Sequence, residues 1–113
     1  MNGISTLPDE CRGALQAHLR PELFRALCDP NRLALVARLA AVSEPLTVTE
    51  AADCCGVHLS GVSRHLAMLR DAGVVRAEKR GREVRYELDC AALAAALRGA
   101  ADALENCRAE CCG

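Results

Sequence analysis

Gly56-Val57-His58-Leu59-Ser60-Gly61-Val62-Ser63-Arg64-His65-Leu66-Ala67-Met68-Leu69-Arg70-Asp71-Ala72-Gly73, preceded directly by Cys54-Cys55, reads as the second half of a helix-turn-helix with a thiol pair at its turn. A turn glycine is followed by a helix that places Val62, Leu66 and Leu69 on one face and Ser63 and Arg64 on another. That division lets a helix pack on a core while offering polar side chains to a DNA groove. The helix is expected from about Leu59 to Ala72, stopping at Gly73.

Immediately upstream, Thr47-Val48-Thr49-Glu50 is a capping box: a threonine oxygen for the third amide, and a glutamate reaching back. It opens a short helix expected to end at Gly56, with Cys54 and Cys55 in its last turn. Downstream, 74–79 and 83–88 alternate apolar and polar positions around Arg80-Gly81-Arg82, the pattern of a β-hairpin with glycine in its turn.

The flanks read as helices. Thr6-Leu7-Pro8-Asp9-Glu10 opens a first one running to about Leu19, where Arg20-Pro21 breaks it. A second runs from Glu22 to about Leu27. Asp29 caps, and Pro30 starts, a third that reaches Ala41 with Leu33, Val36, Ala37 and Ala40 on one face, before a Ser43-Glu44-Pro45 loop. After the hairpin, Asp89 caps a last helix whose Leu93, Leu97, Ala100, Leu104, Cys107 and Cys111 recur at spacings of four and three. Such a stripe faces either the core or a partner helix.

Composition agrees. A chain of 113 residues makes one small domain, 1–113, short enough that a dimer partner would help to bury its surface. Apolar residues are 51% of the chain, yet Phe24 and Tyr86 are its only aromatics, so the core is built of Leu, Ala and Val, as in packed helices. The formal net charge of −1 conceals a segregation: residues 60–86 hold seven Lys/Arg against three Asp/Glu, and the remainder holds seven against twelve. Phosphate contact by one face is favoured while the others repel DNA. The N-terminal Met1-Asn2-Gly3-Ile4-Ser5-Thr6 lacks a signal-peptide pattern, and no apolar run approaches the roughly 18 residues of a membrane span, so a cytoplasmic protein with no membrane partner is expected. In that compartment eight cysteines suggest metal binding or redox sensing rather than a disulfide framework.

The order of these elements, with Ala26-Leu27-Cys28-Asp29-Pro30-Asn31-Arg32-Leu33 and Val62-Ser63-Arg64-His65-Leu66, closely resembles the ArsR/SmtB family of winged-helix repressors over roughly residues 20–104. The resemblance implies a mainly α fold with a β-hairpin wing: a helix-turn-helix at about 47–72, a wing at about 74–88 and a dimerisation helix at about 89–110. It also implies a homodimer formed through the first and last helices. That dimer would sit on a palindromic double-stranded operator, block transcription and let go when an ion binds.

Ser60, Gly61, Ser63 and Arg64 occupy the early outward turns of the second helix, where small hydroxyl residues approach base edges and an arginine reaches a guanine or a phosphate. Lys79, Arg80, Arg82 and Arg85 lie at or beside the hairpin tip and are expected to supply affinity more than sequence choice. His65 falls on the inner face and reads as a packed, hydrogen-bonded structural residue. His58 stands where the family often has a capping serine, leaving the cap to Ser60 or to nothing, and His18 carries no signal.

Thiolates are soft ligands, and cysteine clusters without histidine select As(III), Hg(II), Cd(II) or Pb(II) over hard cations. Cys54-Cys55 and Cys107-Arg108-Ala109-Glu110-Cys111-Cys112 are two such clusters. Adjacent residues on a helix point about 100° apart, so neither adjacent pair chelates alone, whereas Cys107 and Cys111 share a face. A three-sulfur site therefore combines Cys107 with Cys111 or Cys112, or joins tail thiols to Cys54 or Cys55. The Cys-x-Cys common in the family's arsenic and cadmium branches is replaced by Thr47 and Thr49. The zinc branch's Asp/His ligands on the last helix are disfavoured, because no histidine follows His65. Cys28 and Cys90, each alone near a helix end, read as small packed hydrophobes, and Cys11 stays open.

The leading expectation is a repressor released by a thiophilic ion, As(III) ahead of Hg(II), Cd(II) and Pb(II). The alternative on the same fold is a repressor released by thiol oxidation or reactive sulfur. A thiol enzyme or metal carrier is disfavoured, because no Cys-x-x-Cys lies on a βαβ framework and no His or Asp partner is arranged for catalysis.

Overall fold

The computed structural model describes residue 13 and residues 16–54 and 58–107, with only the backbone of Cys54 included. Of the expected first helix, residues 13 and 16–18 are helical and Leu19 is already a bend; the others lie outside the described residues.

Helix α1 (Pro21–Leu27) begins one residue earlier than expected. Pro21 takes the first helical position, where its missing N–H costs nothing. Helix α2 (Pro30–Ala40) starts as its sequence dictates: Asp29 accepts from the backbone N–H of Asn31 at 2.8 Å and of Arg32 at 3.1 Å, with Pro30 behind it. The backbone N–H of Arg32, above all, holds the Asp29 carboxyl below its ordinary pKa.

The core takes a different stripe of α2 from the Leu33, Val36, Ala37 and Ala40 face. Leu35 and Leu39 point into the core and Val36 packs against it, whereas Ala37 and Ala40 are exposed and Leu33 is 50% exposed. The helix is apolar nearly all round, so its periodicity admits two stripes, and only packing against the other helices selects one.

The Thr47–Glu50 capping box forms as expected, Thr47 Oγ1 accepting from the Glu50 N–H at 3.2 Å and Glu50 Oε1 from the Thr47 N–H at 2.9 Å. Helix α3 (Val48–Ala51) is shorter than predicted and tightens into a 3-10 turn at Ala52–Cys54. Its remaining expected extent, 55–56, lies outside the described residues.

Helix α4 (Leu59–Asp71) is the second helix of the motif. Val62, Leu66 and Leu69 are fully buried, as their spacing requires. Its N-cap, His58, makes no side-chain capping bond, so that cap is left unmade. At the other end Gly73 adopts φ +87°, its N–H reaching Arg70 O at 2.9 Å while the Val74 N–H reaches Leu69 O at 3.2 Å. This is a Schellman stop, sealed by the buried Leu69 and Val74.

Strands β1 (Val75–Arg80) and β2 (Glu83–Leu88) pair antiparallel from Val75↔Leu88 to Arg80↔Glu83, leaving a two-residue turn with Gly81 at φ +63°. An isolated bridge, Leu46↔Tyr86, adds one residue of the loop before α3 to the hairpin, with N–H···O distances of 2.9 and 2.7 Å. Helix α5 (Cys90–Cys107) follows, its Ala92 N–H donating to Asp89 Oδ1 at 3.0 Å as the expected cap requires.

One apolar cluster joins the elements: Leu23 and Ala26 of α1, Leu35 and Leu39 of α2, the inner face of α4, and Val75, Tyr86 and Leu88 of the wing root, with Leu93 and Ala96 of α5 packed against it. Each fully buried leucine contributes on the order of 2 kcal/mol of apolar burial. Helix α4 is thereby fixed relative to the wing. Among the described residues, no helix is long and apolar enough to cross a membrane.

Candidate nucleic-acid interface and thiol sites

Burial of Val62, Leu66 and Leu69 turns the opposite side of α4 outward, and Ser60, Ser63 and Arg64 are all exposed there, with Gly61 half-buried among them. Positions 60, 63 and 64 share one face by helical spacing. Arg64 has no ion-pair partner among the described residues, which leaves its charge available to an anion.

His65 sits on the inner side, as its register predicts, and its Nδ1 lies 3.2 Å from Arg32 Nη1. Arginine has no acceptor, so His65 Nδ1 must be the unprotonated acceptor of this bond. Arg32 also donates from Nε to Ala26 O at 2.6 Å and from Nη2 to Arg25 O at 3.0 Å. One side chain thus caps the C-terminal carbonyls of α1 and grips the recognition helix. The sequence reading missed this role, because a helix-start arginine has no pattern of its own.

The wing cations separate into two groups. Lys79 and Arg82 are exposed and have no ion pair among the described residues. Arg80 is exposed but held by its strand neighbour Glu78, at 3.2 Å from Nε and 3.0 Å from Nη2. Arg85 is half-buried, with Glu83 at 3.0 Å, Glu50 at 3.6 Å and the Pro45 carbonyl at 3.4 Å. At the wing root, Arg76 bridges Glu87 and the α5 cap Asp89, both at 3.1 Å, and its pKa is raised by the Glu87 hydrogen bond first and the Asp89 charge second.

Between α3, α4 and the wing lies an open cleft of about 560 Å³ lined by Thr49, Ser63, Glu83, Val84 and Tyr86 among others. It brings Ser63 to the same opening as the wing strand, and it adds Thr49, exposed on α3, which the sequence reading passed over as part of a cap.

Cys107 is buried, at 8% exposure, at the end of described α5. Cys55, Cys111 and Cys112, like Cys11, lie outside the described residues, as does the Cys54 side chain. Among the described residues no three His, Cys, Asp or Glu side chains are grouped to hold a metal ion. Cys28 and Cys90 correct an expectation: both are exposed rather than packed, since each falls at a helix terminus that the core does not cover. Cys28 Sγ instead donates to Arg25 O at 3.1 Å.

A buried-backed recognition helix followed by a two-stranded wing defines a winged helix-turn-helix. A helix-turn-helix domain family matches residues 27–78. The repressor SmtB of Mycobacterium tuberculosis H37Rv is 45% identical over 67 residues, covering 59% of this chain and 48% of SmtB. A crystal structure of an ArsR family transcriptional regulator is 31% identical, with TM-score 0.59 over 74% of this chain and 93% of that one. A possible transcriptional regulator for arsenical resistance is 34% identical, with TM-score 0.61 over 74% and 82%. The chain belongs to the ArsR/SmtB family of winged-helix regulators. It spans about half the length of the curated relatives first matched.

Proposed function

We propose that this chain is a DNA-binding transcriptional repressor that leaves its operator when a thiophilic ion, As(III) first among them, binds its cysteine thiolates. The observation that carries the DNA half is the outward face of α4, where exposed Ser60, Ser63 and Arg64 stand opposite a fully buried apolar face. Arg64 with Ser60, Gly61 and Ser63 reads base edges, while Lys79, Arg80 and Arg82 of the wing hold phosphates. Leu97 and Leu104, 44% and 51% exposed on α5, support a homodimer through that helix, and two-fold symmetry asks for a palindromic operator.

For the sensor, the reading rests on ligand chemistry. Cys54, Cys55, Cys107, Cys111 and Cys112 are the thiols that would hold the ion. Three thiolates suit the pyramidal As(III) centre, and Hg(II), Cd(II) and Pb(II) are the competing soft ions. The similar protein named for arsenical resistance agrees with that order. Cys54 ends the 3-10 turn four residues before His58, the N-cap of α4, so a bond formed there pulls on the recognition helix directly.

The test is operator binding by the reduced protein during parallel titration with As(III), Hg(II), Cd(II), Zn(II) and a disulfide oxidant, with a Cys54→Ser/Cys55→Ser variant alongside. Release by a soft ion, lost in the variant, is the expected result. Release only by oxidant and reversal by reductant would replace the ion with a redox signal.

A further inference from the structure

The basic residues of the wing do not all have the same surroundings. Lys79 and Arg82 project free of ion pairs among the described residues, and Arg80 is held by the exposed Glu78 of its own strand. Arg85 is 26% exposed and already engaged on three sides. Its Nη2 meets Glu83 at 3.0 Å on its own strand, and its Nη1 meets both Glu50 at 3.6 Å and the Pro45 carbonyl at 3.4 Å, 40 residues back along the chain.

The Glu50 oxygen that faces Arg85 is also the Oε1 that accepts from the Thr47 N–H at 2.9 Å in the α3 capping box. One carboxylate oxygen thus serves the start of the helix-turn-helix and the wing at once. Beneath it the Leu46↔Tyr86 bridge joins the same two segments through the backbone. A DNA phosphate could take Arg85 only by stripping it from two carboxylates and a carbonyl. The guanidinium's planar fork of donors suits such bridging, which an ammonium cannot reproduce.

We propose that Arg85 is a positioning residue: it straps the wing to the first helix of the helix-turn-helix and so sets the angle at which the wing cations meet the DNA backbone, without touching a phosphate itself. The proposal rests on the DNA-binding reading above. Its consequence separates two quantities that a phosphate contact would change together. Loss of a phosphate contact lowers affinity and also lowers the salt dependence, because one fewer counterion is released; loss of a strap leaves Lys79 and Arg82 able to reach their phosphates in the complex, so the slope is kept and affinity falls by the cost of ordering the wing.

The experiment measures affinity against salt for the full chain and for Arg82→Gln, Arg85→Gln and Glu50→Gln, using a duplex selected by the wild-type protein from a random-sequence library, at a temperature where circular dichroism shows every variant folded. Amide exchange around Tyr86 is followed in the free proteins. Arg82→Gln is expected to lower the slope of log K against log salt by about 0.9. Arg85→Gln is expected to weaken binding roughly five- to tenfold with the wild-type slope, and to speed exchange at β2, on the scale of a partly screened ion-pair network. Glu50→Gln keeps the capping box, since glutamine serves there, and is expected to speed the same exchange by a smaller factor.

A slope that falls in Arg85→Gln as it does in Arg82→Gln, with exchange unchanged, overturns the proposal and makes Arg85 a phosphate contact. If Arg85→Gln does not fold, the exchange measured in Glu50→Gln decides. If wild-type protein enriches no duplex, the DNA reading fails, and the exchange arm still decides whether the strap exists.

Discussion

Replacing Arg32 by methionine keeps the aliphatic stem and removes a guanidinium that bonds Ala26 O at 2.6 Å, Arg25 O at 3.0 Å and His65 Nδ1 at 3.2 Å. Arg25 O keeps a partner, because Cys28 Sγ and the Cys28 N–H also reach it. Among the described residues, Ala26 O and His65 Nδ1 are left without a side-chain donor. Charge-assisted hydrogen bonds contribute roughly 1.5–3 kcal/mol each when shielded, and Arg32 is half-buried, so the lower end applies and the total is about 2–3 kcal/mol. That is a large part of the roughly 5–15 kcal/mol available to a small domain. Urea denaturation at fixed protein concentration should therefore show a midpoint lowered by about 1–2 M with the slope unchanged. A double-mutant cycle with His65→Ala should return a coupling of about 0.5–1 kcal/mol. A loss below about 0.5 kcal/mol for Arg32→Met would refute the idea that this side chain ties α1 to the recognition helix.

Arg64→Ala should cost about 1–3 kcal/mol of operator affinity and relax sequence preference at one position, read by competition with single-base variants of the selected duplex. Gly99→Ala should raise the melting temperature by less than the roughly 1 kcal/mol that helix propensity offers, because a Cβ there meets the His18 imidazole and that ring must turn aside; in a His18→Ala background the same substitution should stabilise more, read by thermal unfolding. Acid should weaken the protein through its caps. The Asp29 and Glu50 carboxyls both sit below their ordinary pKa, chiefly through the backbone N–H of Arg32 and of Thr47 respectively. Their contribution is therefore complete above the unfolded carboxylate pKa and lost as pH falls through the depressed folded values. Asp29→Asn/Glu50→Gln should flatten the dependence of melting temperature on pH below about pH 4.5.

Much of the fold was legible because local chemistry and tertiary packing agree. The Thr47–Glu50 capping box, the Asp29-Pro30 start and the Gly73 stop each announce a boundary by a backbone requirement that few residues meet. Val62, Leu66 and Leu69 announce a buried face because the opposite face of α4 is polar. Where that contrast is missing, spacing does not select the buried side: α2 is apolar around most of its circumference, and of the Leu33, Val36, Ala37 and Ala40 face Val36 packs against the core while Leu33 is exposed. Cys28 and Cys90 were read as packed because each stands alone near a helix end, but helix ends lie where the core runs out.

The Leu46↔Tyr86 bridge involves one residue on one side, too short to leave a pattern, and the Arg32 and Arg85 contacts join segments 33 and 40 residues apart. The cations of the interface were legible as a cluster from sequence, but which of them are already neutralised depends on side-chain geometry alone. Of the five thiols assigned to the sensor, Cys107 is the one whose side chain is described, so their grouping stands on ligand chemistry rather than distance.

Tyr86 gives the molecule an optical property. The chain holds no tryptophan and one tyrosine, and that ring is 7% exposed at the bridge where wing and helix-turn-helix meet. In the tyrosine band its absorption and emission therefore come from a single chromophore seated at the joint of wing and helix-turn-helix, Phe24 absorbing at shorter wavelength. Protein excited at the tyrosine band reports the environment of that joint without a label or an added aromatic residue.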